Sequence, residues 1–359
     1  MQRISNREAK PLLHIRIAEH KDREAWNVFV DRHPQGLAYH SYAWKQAVEE
    51  AYGFKGLYLL AEKAGVIQGL LPLVQMKSPF TGGRLVSLPY CDVGGCLSVD
   101  ESTRKALLRK ALSLAEESTG GQMEIRWAYP LDDACQFFNG TAQKVRMVLD
   151  LPTGSTELLV SLKSKLRSQI KKPQRDGLRC SLGGKELIDE FYPVFAENMR
   201  DLGSPVHSRK WIEAVVKHYA DKAIVGVAYA PDGRAAAAGI LLLHPRTASV
   251  PWASSLRRYN HLNANMLLYW RLLSYAADNG YPAFDFGRST PGCGTYRFKE
   301  QWGARPQPLF WQDQGKSDAE NRVEAVVSPR RRLAQAVWSH LPLRMTTLLG
   351  PPLRRNISL

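Results

Sequence analysis

Apolar residues along this chain recur with two periods, and the period switches repeatedly. Residues 40–52 (HSYAWKQAVEEAY) space their apolar side chains as a helix does, behind Ser41, a residue suited to capping a first turn. Strands follow at 57–62 and 66–76, with a turn near Ala64-Gly65, which reads as a hairpin. VSLPY (86–90) predicts another strand, ahead of the loop CDVGG at 91–95. Leu107, Leu108, Leu112 and Ala115 line one face of a helix over 101–118, and 122–128 is a strand again.

The second half repeats this order. Helices at 191–202 and 208–219 precede a strand, a Pro231-Asp232-Gly233 turn and a second strand over 223–244. A strand at 248–255, a helix at 263–279 closed by Gly280, and a strand at 283–287 complete it. Hairpin, strand, helix and strand thus occur twice, at about 57–128 and 223–287. The copies share little identity, so the repeat is one of element order. Strands alternating with helices predict an α/β (α+β) fold with mixed sheets. The length of 359 residues suits two domains, expected at 12–150 and 151–313, with 314–359 as linker and tail. The linker helix, about 155–172, is expected to end near Pro173, and the tail to be broken by Pro342 and by Pro351-Pro352.

Composition narrows the class. No uncharged apolar run reaches the roughly 18 residues a membrane helix needs, and the N-terminus shows no apolar signal core, so a cytoplasmic protein is expected. Five cysteines without a CxxC pair argue against a zinc site or a disulfide scaffold, and no metal is expected. The net charge of +15 is concentrated. Residues 161–179 hold seven Lys/Arg against Asp176 alone, and 325–359 hold six Arg and no acid. Two local basic surfaces result, suited to polyphosphate ligands, tRNA or anionic lipid. Lys163, Lys165, Arg167, Lys171 and Lys172 are the candidate phosphate-binding residues; a plain solvated helix face accounts for them equally simply.

The densest chemistry lies at 284–303, FDFGRSTPGCGTYRFKEQWG. Aromatic anchors alternate with Asp285, Arg288, Lys299 and Glu300, and glycines break the run. It reads as strand, glycine-rich turn and second strand, the make-up of a strand-edge site rather than of plain core. Asp285 and Arg288 flank Gly287 at a strand end, as ligand contacts or as a structural ion pair. Asn260, Asn263 and Asn265 lie at the start of the 263–279 helix, one suited to an N-cap and another to hydrogen-bonding substrate, with Asn263 and Asn265 as the substrate-binding candidates. His207 and His261 are candidate bases, and Cys293 is a weaker candidate nucleophile because no activating neighbour is evident.

FDFGRS, GTYRFKEQWG, the upstream NANMLLYW and the basic SLKSKLRSQIKKPQRDGL resemble FemAB-type proteins, aminoacyl transferases built from two tandem GNAT-like domains. The resemblance spans roughly 40–311 and is nearest to the FemAB-related proteins found beside exosortase and exopolysaccharide systems, whose basic, tryptophan-containing tail is similar to this one. It implies amide formation on an amine of a cell-envelope saccharide or peptidoglycan-like precursor, nucleotide- or lipid-linked. No bound cofactor is implied; the co-substrate is aminoacyl-tRNA or acyl-CoA. Phe298-Lys299 matches the family's Phe-Lys pair, so the resemblance makes Lys299 the group that polarises the acyl carbonyl and supports the tetrahedral intermediate. Tyr296 is a candidate proton donor, and Phe298 and Trp302 complete the candidate substrate-binding set.

The place of a CoA-pyrophosphate loop, 257–265 (RRYNHLNAN), has no glycine, which argues against acetyl-CoA. An acyl-CoA-dependent N-acyltransferase on an exopolysaccharide amino sugar stays open, as does a non-enzymatic assembly factor at a membrane surface. The tail suits peripheral contact with anionic lipid on the inner face of the membrane, or docking on the body. DNA is not an expected partner.

Overall fold

Where the apolar spacing is regular, the elements form as it dictates. In the computed structural model, which describes residues 12–78, 82–128, 144–314 and 329–359, Ser41 caps helix α2 (Tyr42–Tyr52) by accepting from the Ala43 N–H. Asp100 does the same for α3 (Glu101–Thr119) and Ser208 for α7 (Arg209–Tyr219). Helix α1 (Arg23–Arg32) precedes them; α4 (Ser155–Ser161), α5 (Ser164–Arg175) and α6 (Ile188–Asp201) lie between α3 and α7; α8 (Ala264–Asp278) and α9 (Gly294–Glu300) follow.

The first half contributes β1 (His14–Ile17), β2 (Lys55–Gly56), β3 (Leu59–Lys63), β4 (Val66–Leu71), β5 (Val74–Ser78), β6 (Gly82–Val86), β7 (Leu97–Ser98) and β8 (Met123–Trp127). Then come β9 (Lys144–Asp150), β10 (Arg179–Gly183), β11 (Ala223–Tyr229), β12 (Ala235–His244), β13 (Thr247–Ser255), β14 (Ala283–Ser289) and β15 (Arg305–Gln314). They form a four-stranded sheet, β1-β3-β4-β7, and an eleven-stranded one, β10-β11-β12-β13-β14-β9-β15-β8-β6-β5-β2.

The repeat of element order is visible in the large sheet. Strand, helix, parallel strand occurs as β6-α3-β8 and as β13-α8-β14, because a parallel pair needs a long crossover. Each parallel ladder is short: Leu85↔Met123 and Val86↔Glu124 in the first, Ala248↔Phe284 and Ser249↔Asp285 in the second. β9 and β15 join the copies, with β15 pairing β9 through its first residues and β8 through its last. The architecture is mixed α/β, with two copies of the strand, helix, parallel strand unit in one sheet.

Several expectations are corrected. The 66–76 strand divides at Pro72, which has no N–H to extend a ladder, so β4 and β5 lie in different sheets. The strand expected at 86–90 ends at Val86, since Leu88 (φ 57°) and Tyr90 (φ 68°) are left-handed and turn the chain. The 155–172 helix is two helices separated at Leu162-Lys163, and α5 runs past Pro173, whose ring is buried. The second strand expected after the glycine turn is instead helix α9, a seven-residue element.

The tail forms two helices, Pro329–His340 and Leu343–Arg355; Pro342 separates them, but Pro351 and Pro352 lie inside the second. Both pack toward α6. Gly203 (φ 69°) admits the backbone of Gln335, where a Cβ would meet its carbonyl oxygen at 2.6 Å, and Gly350 is buried against Val206. Their outer face leaves Leu333, Val337, Leu348, Leu349 and Leu353 exposed. Among the described residues no helix is long and apolar enough to cross a membrane.

Three apolar clusters fill the interior. One joins the halves through Trp44, which stands edge-on to Trp211 at 5.2 Å and stacks on Trp252 at 6.3 Å. Another packs α8 on β14 and holds Trp302.

Candidate active site

The site is built on the end of β14. Its register with β9 shifts between Asp285 and Arg288, an irregularity centred on Gly287 (φ 75°) that re-aims the strand. The buried Asp285 carboxylate accepts the Gly287 N–H at 2.8 Å and lies 3.6 Å from the Arg146 guanidinium, which β9 carries. Burial pushes the Asp285 carboxyl up, against the pull of Arg146 and the Gly287 N–H.

Helix α9 swings Lys299 back over this turn. Its ammonium donates to the carbonyls of Gly287 at 3.0 Å and Arg288 at 2.8 Å. The side chain is 7% exposed. Burial pushes its pKa down to about 8, opposed by Asp285 and Asp92 and aided by Arg288. Two of three N–H bonds are occupied by backbone oxygens, so one donor remains for a ligand. Tyr296 precedes Lys299 by three residues on the helix and therefore shares its face, half-buried against the second cluster.

Asp92 was absent from the sequence candidates. It comes from the loop after β6 in the first half. Its carboxylate accepts the Arg288 backbone N–H at 3.2 Å and sits 3.5 Å from the Arg288 Nε. Its carbonyl accepts the Trp311 indole N–H at 3.0 Å, and the Arg288 guanidinium lies over that indole at 5.1 Å. The only sequence signal was an acid beside glycines after a strand; the partner 196 positions away was not readable.

A second feature lies alongside. β13 and β14 pair only through Ser249↔Asp285, yet continue unpaired with each other to Ser255 and Ser289. Past that point the two strands have no mutual ladder.

The remaining candidates distribute as follows. Lys299, Asp285 and Arg288 come together. Trp302 is buried at 1% exposure, and Phe298 stands edge-on to Tyr269 at 5.0 Å, so both anchor α9 in the core rather than line an open surface. Asn263 is left-handed (φ 55°) and its side chain makes no cap bond, which corrects the N-cap expectation; its carbonyl accepts from Met266 instead. Asn265 is half-buried in the first turn of α8. Among the described residues, no hydrogen bond joins either asparagine to the Lys299 cluster.

Lys163, Lys165, Lys171 and Lys172 are exposed along or beside α5, whose Leu166 and Ile170 are buried; Lys172 pairs with Asp176. Arg167 is committed to the carbonyls of Val160 and Leu162. His207 is buried against Tyr52 at 2.7 Å, and burial pushes it well below its usual value, so it is a core histidine; His261 is exposed. In 257–265, Arg257 bonds the Asp201 carbonyl and Arg258 the Glu197 carboxylate, so both arginines are occupied. Cys293, half-buried, is raised by burial, but bonds from the Thr295 hydroxyl and nearby backbone groups outweigh this and bring it down to about 7. Among the described residues no group of His, Cys, Asp and Glu could hold a metal.

Residues 161–300 match the family model of the acetyltransferase (GNAT) domain. No curated protein matches the chain. Among solved structures, FemX is similar at 14% identity, covering 87% of this chain and all of its own, with a TM-score of 0.69. The L-PGS of Bacillus licheniformis is similar at 14% identity, covering 86% and 96%, with a TM-score of 0.58. The C-terminal domain of a putative lysylphosphatidylglycerol synthetase from Agrobacterium fabrum is similar at 14%, covering 85% and 95%, with a TM-score of 0.57. At such identity these likenesses speak to fold. The chain thus carries an acetyltransferase (GNAT) domain at 161–300, a span that includes β14, α9 and Lys299, and its fold is similar to that of FemX.

Proposed function

We propose that this protein transfers an acyl or aminoacyl group to an amine of a cell-envelope saccharide or peptidoglycan-like precursor. The observation that carries the reading is Lys299, a buried ammonium with one free donor, poised where the β13–β14 ladder stops. An extended donor lies between the two strands with its carbonyl at Lys299. A neutral acceptor amine attacks the carbonyl carbon, and the oxyanion that forms accepts the third Lys299 N–H. Collapse breaks the bond to the leaving oxygen or sulfur, the amide forms, and the amine's proton passes to the leaving group, with Tyr296 as the candidate relay. Asp285, Arg288 and Asp92 hold the turn and set the charge around Lys299.

In this reading 12–150 and 151–313 are the two GNAT-like domains and 314–359 the linker and tail. Aminoacyl-tRNA is the donor favoured by the exposed lysines of α5, with a nucleotide- or lipid-linked precursor as acceptor. The exposed leucines and arginines of the tail support peripheral contact with an anionic membrane surface, where a lipid-linked acceptor is presented. The acyl-CoA-dependent reading is favoured by the acetyltransferase domain match. Thermal-shift screening against aminoacyl-tRNA, acyl-CoAs and UDP-sugars separates the two: a shift with tRNA and precursor supports the first, one with acyl-CoA alone the second. Silence across the panel refutes both. In the assay so identified, Lys299→Ala is expected to lower kcat on the order of 100–1000-fold. Because the cation is the acting form, activity should fall as pH rises through about 8. A kcat within a few-fold of the parent protein removes Lys299 from the mechanism.

A further inference from the structure

The segment that follows the second tail helix returns to the body and closes on the turn carrying Asp92. The Tyr90 N–H donates to the Ser358 carbonyl at 2.6 Å, and the Tyr90 hydroxyl donates to the Arg355 carbonyl at 2.7 Å. The Ser358 hydroxyl donates to the Glu124 carboxylate at 3.1 Å. Glu124 in turn accepts from the Arg126 Nε at 2.6 Å. Arg126, fully buried, donates to the carbonyls of Leu88 at 3.2 Å and Cys91 at 2.7 Å. The next residue is Asp92, bonded to the Arg288 backbone beside Lys299.

This turn is in a conformation it does not hold unaided. Leu88 (φ 57°) and Tyr90 (φ 68°) are bulky residues in left-handed geometry, which persists only where the surroundings over-determine it. Those surroundings are the Trp44 indole N–H on the Pro89 carbonyl at 3.0 Å, the Arg126 fork, and the tail. The tail alone bonds the backbone N–H of Tyr90.

We infer that residues 355–358 are a positioning strap for the candidate active site: they hold the 88–92 turn in its left-handed form and thereby keep Asp92 against Arg288, next to Lys299. The inference rests on the reading of Lys299 as the acting group, but its test needs neither donor nor acceptor. In protein labelled with carbon-13 lysine, the Lys299 resonance is assigned by its loss in Lys299→Ala and titrated. Its midpoint, near 8, reports the groups facing it: Asp285 and Arg288 on β14, Asp92 on the turn, and Cys293 ahead of α9. Asp92 raises that midpoint, so Asp92→Asn lowers it.

Deleting 356–359 is expected to lower the midpoint in the same direction, and adding Asp92→Asn to the deletion should produce no further shift. Tyr90→Phe keeps the ring packed on Tyr52 and Trp211 and loses only the bond to Arg355, so it folds and should show a smaller shift of the same sign. In the deletion variant the Tyr90 amide, which loses its Ser358 acceptor, should exchange about tenfold faster or more, with the unfolding midpoint of the body retained. A Lys299 midpoint unchanged in both variants, or shifts that add to that of Asp92→Asn, overturns the strap. Shifts as expected together with silence in the ligand panel support the strap and remove the acyl-transfer reading.

Discussion

At the scale of single residues, the site combines groups whose ordinary chemistry burial has altered. Lys299 is brought toward neutrality by desolvation, and its ammonium is retained by Asp285, Asp92 and two carbonyls. Cys293 moves the opposite way to Cys91 and Cys180. Burial pushes Cys91 up beyond ordinary reach and Cys180 up to about 12, whereas hydrogen bonds bring Cys293 down to about 7. Iodoacetamide at neutral pH should therefore modify Cys293 ahead of Cys91, Cys96 and Cys180, as peptide mass spectrometry would read. Equal labelling of Cys293 and Cys180 refutes the assignment. Lys299, marked by the family resemblance, and Asp285 and Arg288, marked by their place at a strand end, were singled out in the sequence and lie together in the fold. Asp92 and Arg146 were not, because each meets the cluster across a tertiary contact that no local pattern encodes.

At the scale of elements, burial pattern explains both the successes and the misses. α5 has a narrow apolar face of Leu166 and Ile170 and an exposed lysine face, so the basic segment is an amphipathic helix on the second half. Replacing Lys171 and Lys165 by Glu should weaken polyanion binding roughly uniformly across RNA sequences and flatten its salt dependence, with the unfolding temperature little changed. Filter binding across a salt series measures this, and an unchanged slope counts against the RNA-facing reading. Trp302 and Phe298 looked like ligand-facing aromatics among charges. Once 294–300 is a helix rather than a strand, the spacing turns them into the core, and Lys299 with Tyr296 share a face. A glycine-rich approach disguised that helix, since seven residues are too few to show a periodic apolar face.

At the scale of the whole molecule, two copies of strand, helix and strand meet through β9 and β15, and a tail spans the result. Its inner side reaches Tyr90 and Glu124, while Leu348, at 74% exposure, and Leu353 face outward beside arginines. Leu348→Asp with Leu353→Asp should reduce co-sedimentation with vesicles containing phosphatidylglycerol by roughly tenfold, with phosphatidylcholine vesicles binding weakly throughout. Equal binding of the parent protein and the double variant contradicts membrane contact through this face. The tail packs on the body through Gly350 and Gln335, while Leu348, Leu349 and Leu353 stay exposed; contact with anionic lipid is the proposal that the vesicle experiment tests.

Local pattern was enough for what depends on neighbours in the chain. The cap at Ser41, the period of α3, α7 and α8 and the hairpin turn at Pro231 to Gly233 each follow from residues a few positions apart. Tertiary structure alone decided the rest. It ended the β13–β14 ladder at Ser249, brought Asp92 from the first half onto Arg288, and closed the tail on Tyr90. The reason is physical: propensity and periodicity act over one or two turns. The depression of Lys299, the left-handed turn at 88–90 and the pairing of buried charges depend on desolvation and partners that exist only once distant segments pack together.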